Sequence, residues 1–158
     1  MKPLEMLLQN AARSKKKIVL SEGSDPRALA AAIVAHKQGI ARIVLIGPKD
    51  EIRTKYETVG GDPDEVEIHD PASSSLSGQL VDTFHELRKH KGLSLEDARL
   101  AVLNPHVYAA LLVKTGRADG TVGGAVATTA EIVRTAIQVI GPRPGSKLVS
   151  SFFLMLFC

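Results

Sequence analysis

The sequence predicts an α/β fold built on a mainly parallel sheet, and three observations lead there. Short apolar runs, "KIVLS" at residues 17–21, "RIVLIG" at 42–47 and "EVEIHD" at 65–70, alternate with longer stretches that carry apolar residues at helical spacing. The strand runs are short and apolar rather than evenly alternating, as strands covered on both faces are. The resulting order of strand, helix, strand, helix makes right-handed crossovers and a three-layer α/β/α sandwich.

Taken in order, residues 3–13 predict an opening helix, with Leu4, Leu7, Leu8 and Ala11 on one face. The first strand leads into "EGSDPRALAAAIVAHKQG", where Ser24 or Asp25 caps a helix, Pro26 takes its first position and Gly39 closes it. After the second strand, Pro48 opens a helix that fades near Val59, and the cluster of Gly60, Gly61 and Pro63 forms a turn. The third strand ends at Pro71. A long helical zone then runs to Gly92, marked by Leu76, Leu80, Phe84 and Leu87. Ser94 and Asp97 have N-cap spacing for the next helix, and Asn104-Pro105 breaks it before "HVYAALLVKTG" resumes. A strand near Thr121 and Val122 enters Gly123-Gly124, and Thr128 with Glu131 has capping-box spacing for a helix from Thr129.

At 158 residues the chain suits one domain with a real core, and its 44% apolar and 23% charged residues give an ordinary globular balance. A net charge of +3 fits small anionic ligands, while 4% aromatics and no Trp remove the stacking platforms of single-strand binders, so nucleic acid is not expected as a partner. The one cysteine, Cys158, excludes a disulfide framework, and the five scattered histidines have no metal-ligand spacing, so no metal is expected. The first residues carry charges throughout rather than a secretory pattern, which makes the cytoplasm the default location. The apolar run 152–158 is far short of the ~20 residues of a membrane span and is expected as a buried strand. A buried strand leads into further structure, so the chain is expected to be the front part of a longer one. It would comprise an incomplete first domain at 1–141, and at 142–158 the boundary ("GPRPGSK") and first strand of a second domain.

Ligands of such sheets gather where strands end and helices begin, which singles out residues 21–27, 47–51 and 123–129. The Gly123-Gly124 turn before a helix has the makings of an anion cradle, although it is neither a Walker A loop nor a dinucleotide fingerprint, and a merely tight turn explains it equally well. Arg88, Lys89, His90 and Lys91 in "ELRKHKG" read as cations at a helix C-terminus or as a phosphate clamp. Asp25 is a helix cap and Glu22 a candidate structural carboxylate. Arg134, one turn inside the last helix, fits either a surface residue or an anion contact.

Four blocks, "IVLSEGSDPRAL", "FHELRKHKGLSLEDA", "GRADGTVGGAVATTAEIVRTAIQVIG" and "GSKLVSSFFLM", resemble in this order the phosphate acetyltransferases, or phosphotransacetylases, over nearly the whole chain. The resemblance implies reversible acetyl transfer, acetyl-CoA and phosphate giving acetyl phosphate and CoA. It also implies a fold like the isocitrate and isopropylmalate dehydrogenases, truncated here, and a homodimer for the full-length protein. CoA, acetyl phosphate and phosphate would be substrates, with no prosthetic group. Arg88 and Arg134 are similar to the family's anion-binding arginines, Arg27 matches a third, and Gly123, Gly124, Thr128 and Thr129 line the same place. The family's usual histidine in this loop is replaced by Ala127, and its base aspartate and Ser-Arg pair fall beyond Cys158, which implies an isolated chain with little or no activity. Two related alternatives are a phosphate butyryltransferase and an acyl-CoA-sensing module of the kind fused to malic enzymes.

Overall fold

The computed structural model describes residues 3–146, 149–150 and 152–155. Four strands, β1 (Lys17–Leu20), β2 (Arg42–Ile46), β3 (Glu67–His69) and β4 (Gly120–Val122), form one parallel sheet in the order β3-β2-β1-β4. Around them lie α1 (Pro3–Ser14), α2 (Pro26–Lys37), α3 (Lys49–Thr58), α4 (Ser77–Arg88), α5 (Leu95–Val102), α6 (Pro105–Lys114) and α7 (Thr129–Val139).

The pleat sorts the two faces. Ile18, Leu20, Ile43 and Leu45 point toward α2 and α3, where they meet Leu29, Ala32, Ile52 and Tyr56. Val19, Val44 and Ile46, the alternate positions, pack under α4 to α7 against Leu80, Phe84, Val102, Leu111 and Val139. A sheet apolar on both faces explains the continuous runs in the sequence, and the three layers follow from it.

Capping residues fix the helix starts. Asp25 accepts the Arg27 N–H at 2.9 Å to open α2, Ser94 accepts that of Asp97 to open α5, and Asn104 accepts from His106 and Val107 to open α6. Thr128 and Glu131 form the reciprocal capping box of α7. Two expectations need adjustment. The helical zone expected to reach Gly92 stops at Arg88; a 3-10 turn at Lys89–Lys91 follows, and Gly92 (φ 83°) closes it in the left-handed region that a residue with a Cβ avoids. The strand expected at 152–158 is not formed over its described part: Phe152 to Met155 belong to no strand and are 63–93% exposed, because no described segment pairs with them. Ser151 and residues 156–158, Cys158 included, lie outside the described residues, as do Lys147 and Leu148 of the expected boundary. Among the described residues no helix is long and apolar enough to cross a membrane.

Candidate functional site

The chain runs from β1 outward to β2 and β3 on one side, then returns to add β4 on the other. The β1/β4 junction is therefore the point where strand order reverses, and the crevice outside the carboxyl ends of these two strands is where ligands of open parallel sheets sit. Two loops meet there: residues 21–25 after β1, and residues 123–128 after β4.

Their junction is a carboxylate held by amides. Glu22 Oε2 accepts the N–H groups of Gly124 (2.8 Å) and Ala125 (2.6 Å), and Oε1 accepts those of Val126 (2.9 Å) and Ala127 (2.7 Å). The Glu22 side chain is only 9% exposed. Burial pushes its carboxyl up, but the N–H donations from Ala127, Val126, Ala125 and Gly124 outweigh this and hold it below the ordinary carboxylate range. The amides that follow the Gly-Gly turn thus converge on a carboxylate, and that carboxylate is the chain's own.

Each glycine has a separate reason. A Cβ on Gly123 would stand 2.5 Å from Ser21 Oγ and 2.9 Å from Ile132 Cδ1, so close packing against the end of β1 excludes a side chain. Gly124 takes φ +104°, which L side chains rarely adopt. Buried Ser21 in turn lies 2.9 Å from His106 Nδ1 at the start of α6, and His106 Nε2 lies 3.9 Å from Glu22 Oε1.

Arg27 belongs to the same cluster. Its Nε and Nη2 each donate to the Asp25 carboxylate at 2.9 Å, and Nη2 also donates to the Ala125 carbonyl. The Arg27 side chain holds the Asp25 carboxyl down to about 2. An open depression of about 390 Å³ beside this cluster is lined by Ser21, Glu22, Ser24, Pro48, Pro105 and Val126.

The remaining sequence candidates stand apart. Thr128 spends its backbone N–H and hydroxyl on Glu131 Oε2, both at 2.8 Å, and Thr129 is the exposed first residue of α7. Arg134 is exposed one turn on and draws the Glu131 carboxyl down as the least of several causes, the Thr128 backbone N–H being the first. Arg88 is the half-buried last residue of α4, eleven positions and roughly 16 Å along the axis from Ser77. Among the described residues, no hydrogen bond or ion pair joins Arg88 or Arg134 to the Glu22 cluster. Nor does any group of three or more His, Cys, Asp or Glu among them have the disposition of a metal site.

Glu22 and His106 are the site residues that sequence reasoning undervalued. Glu22 was legible as a structural carboxylate, but not its partners, which lie 102–105 positions away and become neighbours only because β4 pairs with β1. His106 had no local signal. Its place follows from Asn104 capping α6 and turning the next residues toward Ser21.

A parallel sheet with its polar loops gathered at the strand-order reversal defines an α/β protein of the open-sheet type. Comparison with known proteins narrows the class. The family model described as phosphate acetyl/butaryl transferase matches residues 3–158, and the chain belongs to that family. It is 43% identical over 152 residues to a phosphate acetyltransferase of Thermoanaerobacterium thermosaccharolyticum, covering 96% of this chain and 46% of the relative. It is 42% identical over 158 residues to one of Paracoccus denitrificans, again covering 46% of the relative. Among solved structures, a phosphotransacetylase from Streptococcus pyogenes superposes with a TM-score of 0.85 at 32% identity, over 90% of this chain and 43% of that one. The EutD phosphotransacetylase from Staphylococcus aureus gives 0.83 at 32% identity, over 92% and 45%. The chain spans somewhat less than half the length of these relatives.

Proposed function

We propose that this chain is the N-terminal portion of an acyltransferase that exchanges an acetyl group between CoA and inorganic phosphate, acetyl-CoA and phosphate giving acetyl phosphate and CoA. The observation that carries the reading is the family match over residues 3–158, supported by relatives named phosphate acetyltransferase at about 40% identity. In the direction of acetyl-CoA synthesis, a base removes the CoA thiol proton, the thiolate attacks the acetyl phosphate carbonyl, and the C–O bond to phosphate breaks as phosphate leaves. Positive groups stabilise the carbonyl oxygen and the departing phosphate.

The part assigned to this chain is binding rather than proton transfer. Arg27 is the best-placed candidate for an anion contact, since its guanidinium is already fixed by Asp25 and the Ala125 carbonyl. Arg88 and Arg134 are assigned to CoA or acyl-phosphate groups by resemblance, reached when a second domain faces the first. The base and the remaining charges are assigned to that second domain, so the 158-residue chain alone is expected to turn over little or no substrate. In the full-length protein we expect a cytoplasmic homodimer that needs no prosthetic group. Because the family embraces both acetyl and butyryl transferases, the longer acyl chain is the competing substrate.

A thioester-forming assay tests the reading directly. The full-length protein should convert acetyl phosphate and CoA to acetyl-CoA, and with arsenate should hydrolyse acetyl phosphate in a CoA-dependent way. Absence of both reactions overturns it, and preference for butyryl phosphate shifts it to the longer acyl group.

A further inference from the structure

We propose that Glu22 is a positioning residue: its carboxylate is the built-in anion that shapes residues 124–127 and, through the Ala125 carbonyl, sets Arg27 where an anionic substrate meets it. Four consecutive backbone N–H groups converge on its two oxygens. Convergent donors of like polarity repel one another and favour an anion at their focus. The neighbouring helix supplies no substitute, because α7 has its own cap in Thr128 and Glu131. The shape of the loop therefore depends on a single side chain from a different loop, the one that follows β1.

That dependence reaches the cation. Arg27 Nη2 binds the Ala125 carbonyl, the peptide on whose other side Val126 N–H donates to Glu22. With Nε and Nη2 held, Nη1 has no partner among the described residues, and the side chain is 70% exposed. A hollow of about 190 Å³ lies beside it, lined by Leu20, Ala28, Ala31 and Val122 together with Glu22 and Ala125. The amides of 124–127 are thus spent inside the protein, and an incoming phosphate or phosphorylated group finds a guanidinium there rather than a backbone cradle. Only the identity of that anion rests on the acyltransferase reading.

Removing the carboxylate and supplying one from solution tests this. In the intact protein carrying Glu22→Ala, amide hydrogen exchange at 124–127 should accelerate at least tenfold while Leu45 and Leu111 keep wild-type protection. Millimolar formate, which offers two oxygens to the empty nest, should restore the slow rates, and neutral formamide should not. CoA affinity by calorimetry should weaken about tenfold in the variant and recover with formate. Glu22→Gln, which keeps the volume and removes the charge, should show smaller losses in both readouts and stands in if the alanine variant does not fold. Wild-type loop exchange in either variant, or acceleration that formate leaves untouched, overturns the proposal. So does a loosened loop with unchanged CoA affinity. A wild-type protein that binds no CoA sinks the acyltransferase reading instead, while the exchange measurements still judge whether Glu22 shapes the loop.

Discussion

Two regions looked alike as anion sites, the Gly123-Gly124 turn and the cationic end of α4, and they have opposite electrostatic states. At the turn, the backbone donors are matched from within: Glu22 takes four loop amides, Glu131 takes the Thr128 N–H and hydroxyl, and Asp25 holds Arg27 by Nε and Nη2, leaving only Nη1 open among the described residues. At the end of α4, Lys89 pairs with Glu86 at 2.6 Å, whereas Arg88, His90 and Lys91 have no carboxylate within ion-pair reach among the described residues. Glycines before a helix report a backbone geometry, and this geometry can be filled from within. Unmatched cations report charge that still lacks its counterpart.

Four measurements break or sharpen that contrast. The largest effect is expected for Gly123→Ala, whose methyl would stand 2.5 Å from Ser21 Oγ and 2.9 Å from Ile132 Cδ1; overpacking of this kind costs about 1–3 kcal/mol, and the upper end is expected in urea denaturation. An unchanged midpoint would mean that the turn is not tightly built. Next, Arg88→Ala and Arg134→Ala in the full-length protein should each weaken use of CoA or acetyl phosphate by about 1–3 kcal/mol, the range of charge-assisted contacts. Steady-state constants unmoved by both would remove the clamp and leave two surface cations. Third, Thr128→Ala removes one half of the α7 capping box and should cost about 1 kcal/mol of stability without altering the exchange of the Glu22-bound amides.

The smallest effect is the acid limb. Glu22 and Asp25 carry folded-state values below their ordinary ones, Asp25 near 2, so the stability they contribute is complete above about pH 4.5 and is lost as pH falls toward 2. Urea midpoints taken at descending pH should fall across that window, and Glu22→Gln should flatten the fall. Parallel curves for variant and wild type would show that the loop does not depend on the carboxylate's charge.

Much of the fold was legible because its signals are local. Asp25-Pro26, Ser94 with Asp97, Asn104-Pro105 and Thr128 with Glu131 each mark a helix start within four residues, and "RIVLIG" fills both faces of a covered strand. The end of α4 was read too long because the 3-10 turn at Lys89–Lys91 keeps the cations close to helical spacing while leaving the α-helix. The site was legible only in outline. Its loops could be chosen as strand-to-helix junctions, but the partner of Glu22 depends on which strand lies beside β1, and strand order is not written in any short window of sequence.

The separation between Glu22 and its amides also orders events in time. Strand β2 joins β1 with Lys17 opposite Arg42, a loop of about 25 residues, whereas the Glu22 contacts close one of 102 or more. Two doublings of loop length add about 1.2 kcal/mol of closure entropy, so the Glu22 contacts carry a larger entropic cost of closure than the pairing of the first two strands. During synthesis the carboxylate emerges about a hundred residues before its four donors and remains solvated until they arrive. The nest thus forms only once β4 lies beside β1, which brings together two loops that are far apart in sequence.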